Sequence, residues 1–274
     1  MTLDGDSLVG YLRAEYAASG KWRVASFFVG LIVALPAVAS VVTNDAQTLY
    51  FLAVANLVLL AIWTWINVKY GQKQNAAHSA RRAALIVNGL GEELSAGEKR
   101  RLMEKFTVGV EAAENAKKSD YYASASEPGP LKLLECLEES AFYSSKLHRV
   151  SANAWIGIVV AYAVAFAIVA VFLIPSATND VLMMAVRIFF AATVFILSAD
   201  VLGSLLAHWR CSAETSAVLS RIEIAKQGEV NSADALLIME DYTSAIQSAP
   251  EIVPFVYRTQ EASLNSLWAG YLKG

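Results

Sequence analysis

The chain alternates between long apolar runs and segments rich in polar and charged residues. Three of the runs contain no charged side chain and comprise 21, 23 and 30 residues, at 24–44, 46–68 and 150–179. A helix needs about 20 apolar residues to cross the hydrocarbon core of a bilayer. A fourth run, 181–206, is also apolar but contains Arg187 and Asp200. The pattern predicts four transmembrane helices.

Composition favours this interpretation over two alternatives. The chain of 274 residues is 56% hydrophobic and 17% charged, with a mean hydropathy of +0.43, which is too apolar for an ordinary soluble domain. Four such runs are also difficult to bury in one small soluble core. The first run contains Ala37-Val38-Ala39, a possible signal-peptidase site, but the 23 residues before the run are long for the N-terminal charged region of a signal peptide and include three acidic side chains. We therefore expect a retained helix.

The distribution of basic residues predicts the orientation of the spans. The two short connectors, 43–48 and 175–180, each contain one aspartate and no lysine or arginine, whereas 21 of the 22 basic residues lie in the other polar segments. Loops rich in lysine and arginine remain in the cytoplasm. We expect two transmembrane hairpins with both termini in the cytoplasm. The predicted segments are 1–22, 23–69, 70–150, 151–206 and 207–274.

The predicted cytoplasmic segments contain helix signals and no strand pattern. Ser95 and Glu98 have the spacing of a capping box, and apolar residues at helical spacing follow them, which predicts one helix over 95–119. Other helices are predicted to end near Gly89 and to begin near Pro130 and Asn231. Apolar residues at helical spacing also predict an amphipathic helix over 1–22. No segment alternates with a period of two, so the predicted fold class is all-α.

Residue types that perform catalysis are not arranged in a recognisable pattern. The histidines His78, His148 and His208 have no metal-ligand spacing to cysteine or carboxylate residues, and no phosphate-binding loop or nucleophile elbow occurs. We expect a protein that is not an enzyme and that has no metal and no cofactor. Cys136 and Cys211 are predicted to be free thiols in the reducing cytoplasm.

Several local sequences resemble a known family. Asp120-Tyr121-Tyr122 precedes a proline-containing loop, "LECLEESAFYSSKL" leads into the third predicted span, and Pro250, Pro254 and Tyr257 precede "LNSLW". With the arrangement of four spans, these sequences resemble the SMODS-associated four-transmembrane effector family of bacterial antiphage defence. The resemblance covers nearly the full length of the chain.

The resemblance implies a function. It implies a membrane effector whose neighbouring gene encodes a nucleotidyltransferase that makes a nucleotide second messenger. Such an effector permeabilises the bacterial inner membrane and causes growth arrest or cell death, as in abortive infection. The sign of the control is open: the nucleotide either opens the effector or holds it closed. A non-conducting membrane scaffold that recruits partners through its helical cytoplasmic region is the alternative, and a transporter ranks third.

A nucleotide is anionic, and the middle segment has the cations that would bind it. Residues 69–150 contain 13 lysines and arginines against 11 acidic residues, whereas residues 207–274 contain 5 against 8. Tyr121 and Tyr122 are predicted to stack on the bases. Positive-inside topology and attraction to anionic lipid are the competing explanations for these cations. We expect no binding of duplex nucleic acid. The predicted phosphate ligands are Arg81, Arg82, Lys99, Arg100, Arg101 and Lys105.

The spans contain residues that suggest an oligomeric pore. Arg187 and Asp200 are too far apart on one helix to pair, and a charge near the bilayer centre costs about 2.5–3.5 kcal/mol on insertion scales. We expect these two residues to line or close a water path between subunits, with a homotetramer favoured. The alternatives are that Arg187 extends towards the lipid headgroups and that Asp200 lies in water. Gly157, Ala161 and Ala165 form a small-residue stripe that packs helices, within the chain or between subunits.

Overall fold

The computed structural model describes residues 3–43, 45–173, 178–197, 199–253 and 256–272. In these ranges the secondary structure is helical and contains no strand, which confirms the all-α prediction. Two π-helical turns, Val169–Leu173 and Ala199–Gly203, also occur. The α-helices are α1 (Gly5–Val42), α2 (Ala46–Leu90), α3 (Ala96–Lys105), α4 (Val110–Asn115), α5 (Pro130–Ile168), α6 (Asn179–Leu197), α7 (Ser204–Ala225), α8 (Ser232–Gln247) and α9 (Val256–Tyr271).

Within the described residues, three helical stretches are long and apolar enough to cross a membrane. They are Gly5–Pro36, Ala46–Leu90 and Pro130–Phe172, and each overlaps one of the three charge-free runs. The predicted fourth span coincides with α6 and the π-helical turn Ala199–Gly203. Its insertion in a membrane and the pairing of spans into hairpins stay predictions.

The chain divides into two compact units. One unit, here called the helical unit, consists of residues 1–21, 70–151 and 207–274. The other, here called the apolar unit, consists of residues 22–69 and 152–206. The local sequence patterns of the N-terminal, middle and C-terminal segments do not predict that these segments fold together into one unit.

The helical unit has two large apolar clusters that join segments distant in the sequence. In the first cluster, Leu133 and Leu137 of α5 pack with Ile222 of α7 and Tyr242 of α8. All four of these side chains are almost completely buried. Because removal of a buried leucine or isoleucine side chain typically costs about 2–5 kcal/mol, this cluster is a main source of the unit's stability.

The second cluster attaches the N-terminal helix to the middle segment. Leu8 and Leu12 of α1 pack against Ala80 and Ala84 of α2 and against Leu102 of α3. The two alanines are fully buried. Small side chains at this spacing allow α1 to approach α2 closely, so the amphipathic N-terminal segment is part of the folded core.

Helix boundaries in the helical unit agree with the local sequence signals. The Ser95 side chain accepts a hydrogen bond from the Glu98 N–H at 3.2 Å, and the Asn231 side chain accepts one from the Asp234 N–H at 2.8 Å. The first bond starts α3 and the second starts α8, as the N-cap residues predict. Helix α2 ends one residue before Gly91, whose φ of 72° is in the left-handed region.

The prediction of one helix over 95–119 is wrong, because the chain leaves the helix after Lys105. A buried carboxylate stabilises the break. Glu15, which is fully buried on α1, accepts hydrogen bonds from the N–H groups of Thr107 and Val108 and from the Thr107 hydroxyl. These two N–H groups would otherwise donate to helical carbonyls, so the carboxylate replaces helical hydrogen bonds with tertiary ones. Helix α4 then begins after Gly109.

The apolar unit exposes large apolar side chains and buries few polar ones. Phe28, Leu57 and Val171 are more than half exposed, as expected for side chains that face lipid. Inside the unit, the Ser26 hydroxyl donates to the Asn67 side chain at 2.9 Å. This bond satisfies polar groups within an otherwise apolar unit.

Candidate functional site

A cleft in the helical unit brings together residues from three helices. Its volume is about 560 Å³, within the range of small-molecule binding sites. Its lining comes from α2, from α3 and the two residues after it, and from the end of α8. The lining residues are Gln72, Asn75, Ala76, Ser79, Arg82, Glu104, Lys105, Phe106, Thr107 and Gln247.

Helix geometry explains why α2 forms one wall of this cleft. Its polar lining residues, Gln72, Asn75, Ser79 and Arg82, follow one another at intervals of three or four, which places them on one helix face. The opposite wall includes Thr107, which follows the end of α3. If α3 continued through this residue, the Thr107 side chain would point in a different direction, so this wall depends on the break in the helix. The Glu15 carboxylate stabilises that break by accepting hydrogen bonds from the Thr107 hydroxyl and the Val108 N–H.

The cleft contains two cations that the sequence predicted as phosphate ligands. Within the described residues, Arg82 makes no hydrogen bond and no ion pair, and the nearest polar partner of the Lys105 amine is the Ser79 hydroxyl at 3.5 Å. Beside them, the Lys73 amine donates to the Thr107 hydroxyl at 2.9 Å. Charged donors that lack an acidic partner favour an anionic ligand.

The acidic residue of the cleft does not neutralise these two cations. Glu104 forms an ion pair with Arg100 at 3.1 Å, on the exposed surface of α3. The cleft is therefore positively charged at its Arg82 and Lys105 side chains. It contains hydroxyl and amide groups that can accept or donate further hydrogen bonds, from Asn75, Ser79 and Gln247.

Three of the six predicted phosphate ligands do not line the cleft and form ion pairs with glutamates on the surface. Such exposed pairs contribute about 0–1 kcal/mol each and leave the cations accessible to water. None of the three lines the cleft. The pairs are Lys99 with Glu93 at 3.4 Å, Arg100 with Glu104 at 3.1 Å and Arg101 with Glu98 at 3.0 Å.

The sixth predicted ligand, Arg81, lines a different cavity of about 300 Å³ in the same unit. Its guanidinium lies 4.8 Å from the centre of the Tyr16 ring and donates to the Tyr242 hydroxyl at 3.3 Å. Arg81 and Arg82 are adjacent on α2 and therefore point about 100° apart. This rotation separates the two arginines into different sites.

The structure does not bring Tyr121 and Tyr122 into the lining of the cleft. Their rings contact each other edge to face, with centroids 4.9 Å apart. Tyr121 packs against the cluster of Leu8 and Leu12, and Tyr122 packs against the cluster of Leu133. Base stacking by these two tyrosines stays a prediction.

The predicted pore and packing residues lie in the apolar unit. Arg187 is exposed on α6, and the side chain of Asp200 lies outside the described residues. Gly157 is exposed, and a Cβ atom added there would meet no atom of the described chain within 4 Å. Ala161 and Ala165 are exposed as well. The stripe therefore faces away from the described part of the apolar unit.

The cysteine, histidine and carboxylate side chains of the chain are its possible nucleophiles and metal ligands. Cys136 and Cys211 are free and fully buried, and burial raises the pKa of both thiols to about 12. Neither thiol is ionised at neutral pH, so neither is an activated nucleophile. Across the described residues, no group of three histidine, cysteine or carboxylate side chains has the geometry to hold a metal ion.

Comparison of the chain with protein-family models, with curated proteins and with solved structures finds no match.

Sequence reasoning missed part of the cleft. Ser79 and Thr107 in the cleft and Lys73 beside it were not selected, although the polar residues of α2 recur at helical intervals from Gln72 to Arg82. That polar stripe, beside the buried alanines of the same helix, is the signal that could have found one wall. The contribution of Gln247 from α8 has no counterpart in the local sequence, because it depends on tertiary packing.

Proposed function

We propose that this protein is a membrane effector that is controlled by a nucleotide second messenger bound in the Arg82 and Lys105 cleft. One observation supports the proposal above the others. Among the described residues, two cations without acidic partners converge in a cleft of about 560 Å³, and three helices are apolar enough to cross a membrane. Phosphate groups are ligands of the charge and size that such a cleft accommodates.

The proposed topology has four spans in two hairpins, with both termini and the helical unit in the cytoplasm of a bacterial inner membrane. The connectors that lack basic residues support this orientation. A cysteine introduced at Asn179, in an otherwise cysteine-free variant, should react with an impermeant thiol reagent on intact spheroplasts. A cysteine introduced at the exposed Ser220 should react only after lysis. The reverse labelling pattern would contradict the orientation.

The proposed effector assembles as a homo-oligomer, with a tetramer favoured, and its spans form a pore or ion channel. Opening would cause growth arrest or cell death during antiphage defence. The resemblance to SMODS-associated effectors supports this role, and the nucleotide either opens the pore or holds it closed.

Nucleotide binding tests the cleft directly. The probes are cyclic di-AMP, cyclic di-GMP, cyclic GMP-AMP and ATP, titrated into the full chain in detergent at two salt concentrations. Arg82→Ala combined with Lys105→Ala should weaken binding by at least about tenfold, and the salt dependence should fall with the charges removed. The matched control is Lys99→Ala combined with Arg101→Ala, which removes two cations whose glutamate partners, Glu93 and Glu98, do not line the cleft.

Three outcomes distinguish the explanations of these cations. A loss of binding only in the Arg82 and Lys105 variant supports the cleft. Equal loss in both double variants would mean that the general positive field, rather than the cleft, attracts the nucleotide. No binding of any probe would contradict the cleft assignment for these nucleotides.

Ion flux from liposomes distinguishes an effector from a scaffold. Purified protein in liposomes loaded with a fluorescent ion indicator should change its flux when the bound nucleotide is added or removed. Flux that is absent in both conditions would favour the non-conducting scaffold.

A further inference from the structure

The cavity beside Arg81 has features of a binding site in its own right. Its lining combines five apolar residues from the end of α8 and the segment after it with charged and polar residues of α2 and α5. The lining residues are Tyr16, Gln74, His78, Arg81, Ser144, His148, Ile246, Ala249, Pro250, Glu251, Ile252, Val253 and Tyr257. Apolar walls with a few polar groups are typical of sites for flat organic molecules.

Arg81 offers more hydrogen-bond donors than the chain uses. A guanidinium has five N–H groups, and the only hydrogen bond that Arg81 makes to the described residues goes to the Tyr242 hydroxyl. It forms no ion pair with a carboxylate in the described part of the chain. The Tyr16 ring covers the guanidinium as a cation–π partner, which holds its plane in place.

His78 supplies a second donor that has no acceptor. The residue is 95% buried, and its Nδ1 atom lies 3.1 Å from the Tyr16 hydroxyl. We assign the tautomer in which the Tyr16 hydroxyl donates to Nδ1, which leaves the ring proton on Nε2. Burial, with the nearby charge of Arg81, lowers the pKa of His78 to about 3, so the ring is neutral. The buried Nε2 atom has no hydrogen-bond partner among the described residues.

Glu251 gives the same cavity an acceptor of opposite charge. Glu251 is one of the lining residues, and its backbone N–H donates to the Tyr70 hydroxyl oxygen at 3.0 Å. A ligand that fits this cavity must therefore present acceptor atoms towards Arg81 and His78 and N–H groups towards Glu251. A simple anion satisfies only the first requirement.

We propose that the Arg81 cavity binds a guanine base. Guanine has two acceptors, O6 and N7, on one edge, and the pairing of arginine with these two atoms is the commonest specific contact to guanine. Its N1–H and 2-amino groups are donors that the Glu251 carboxylate accepts. Its flat faces suit the apolar walls formed by Ile246 and Ile252. Adenine has an amino group where guanine has O6, so it would oppose the N–H donors of Arg81 with another donor.

The inference rests on the proposed function only in that the ligand is a nucleotide or nucleoside. It assigns Arg81 to base recognition and leaves Arg82 and Lys105 for phosphate. The two sites are tested separately, since guanosine lacks phosphate and inorganic phosphate lacks a base.

Calorimetric titration of the full chain in detergent tests the inference. The probes are guanosine, inosine, adenosine and inorganic phosphate. Guanosine should bind at least about tenfold more tightly than adenosine. Inosine, which lacks the 2-amino group, should bind more weakly than guanosine because Glu251 loses one donor. This comparison needs no variant, so it remains valid if a substitution prevents folding.

Two variants test whether the preference for guanosine over adenosine arises from the Arg81 cavity. Arg81→Lys keeps the charge but loses the planar pair of donors, and Glu251→Gln removes the carboxylate. Each should reduce the preference for guanosine over adenosine to nearly one. Arg149→Lys is the matched control, because Arg149 also stacks on an aromatic ring, Trp209, and is exposed outside the cavity.

The possible results separate this inference from the proposed function. If the cyclic nucleotides bind through Arg82 and Lys105 but guanosine and adenosine bind equally or not at all, the guanine site is refuted and the proposed function stands. If guanosine binds as expected and no nucleotide depends on Arg82 and Lys105, the proposed cleft fails and the guanine site stands. If inorganic phosphate competes with guanosine and binding depends on Arg81, the cavity is an anion site and the guanine assignment is refuted.

Discussion

Removal of the buried carboxylate of Glu15 should destabilise the helical unit and disturb the cleft together. Glu15 is fully buried and accepts three hydrogen bonds from the residues that follow α3. The Thr107 hydroxyl that donates to Glu15 also accepts a hydrogen bond from Lys73, which lies beside the cleft. Glu15→Ala removes the common acceptor, so the break between α3 and α4 loses its stabilising contact.

The size of the effect follows from the number and kind of these bonds. A hydrogen bond to a charged group contributes about 1.5–3 kcal/mol. Thr107 is exposed and can recover part of this energy from water, so the expected loss for Glu15→Ala is about 4 kcal/mol. Glu15→Gln keeps one carbonyl oxygen for the two N–H groups and should cost about 1 kcal/mol.

Thermal unfolding of the full chain in detergent measures the difference. With about 2–4 °C per kcal/mol for a domain of this size, Glu15→Ala should lower Tm by about 10 °C and Glu15→Gln by about 3 °C. Nucleotide binding by the alanine variant should weaken as well, because Thr107 and Lys105 are no longer held. The assigned role of Glu15 is refuted if Glu15→Ala unfolds within 1 °C of the original protein, or if the glutamine variant is as unstable as the alanine variant.

Three further predictions concern sites away from this carboxylate. Gly10→Ala should lower Tm by several degrees, because its Cβ atom would lie 2.4 Å from a backbone carbonyl oxygen, whereas Gly157→Ala enters open space and should not lower it. Acid should destabilise the helical unit: the pKa values of His78 and His148, about 3 when folded, rise to about 6.5 on unfolding, so denaturant midpoints should fall as pH drops below about 6.5. Arg187→Leu should preserve expression and assembly but change ion flux, and unchanged flux would exclude Arg187 from the water path.

The parts of the fold that the sequence predicted depend on local chemistry. The caps at Ser95 and Asn231 and the left-handed Gly91 are decided by neighbours a few residues away, so the pattern locates helix ends well. The break after Lys105 depends on Glu15, which is 92 residues distant from Thr107 in the chain. No local signal contains that contact, so the apolar spacing of Leu102, Phe106 and Val110 predicted a longer helix than the one that forms.

The candidate site was predictable in composition but not in arrangement. The sequence identified the cations, but their directions depend on the rotation of each helix about its axis. A rotation of about 100° between Arg81 and Arg82 is enough to place one beside tyrosines and the other in the cleft. Similarly, Lys105 extends from α3 towards Ser79, while Arg100 and Arg101 meet glutamates of their own helix.

A cleft with a few accessible cations is sufficient for the proposed control, because the binding sites of the oligomer share the free energy that is needed to change its state. A ligand moves a two-state equilibrium only by its difference in affinity for the two states, and a change from 1:99 to 99:1 needs about 5.5 kcal/mol. In the proposed tetramer, four equivalent sites would each supply about 1.4 kcal/mol, which is a tenfold difference in affinity between the closed and open states. A displacement of Arg82 relative to Lys105 that weakens one phosphate contact can produce a difference of this size, since charge-assisted hydrogen bonds contribute about 1.5–3 kcal/mol each. The proposed gate therefore needs no buried ion pair or strained segment at the ligand site. It needs only that the distance between α2 and α3 differs between the two states.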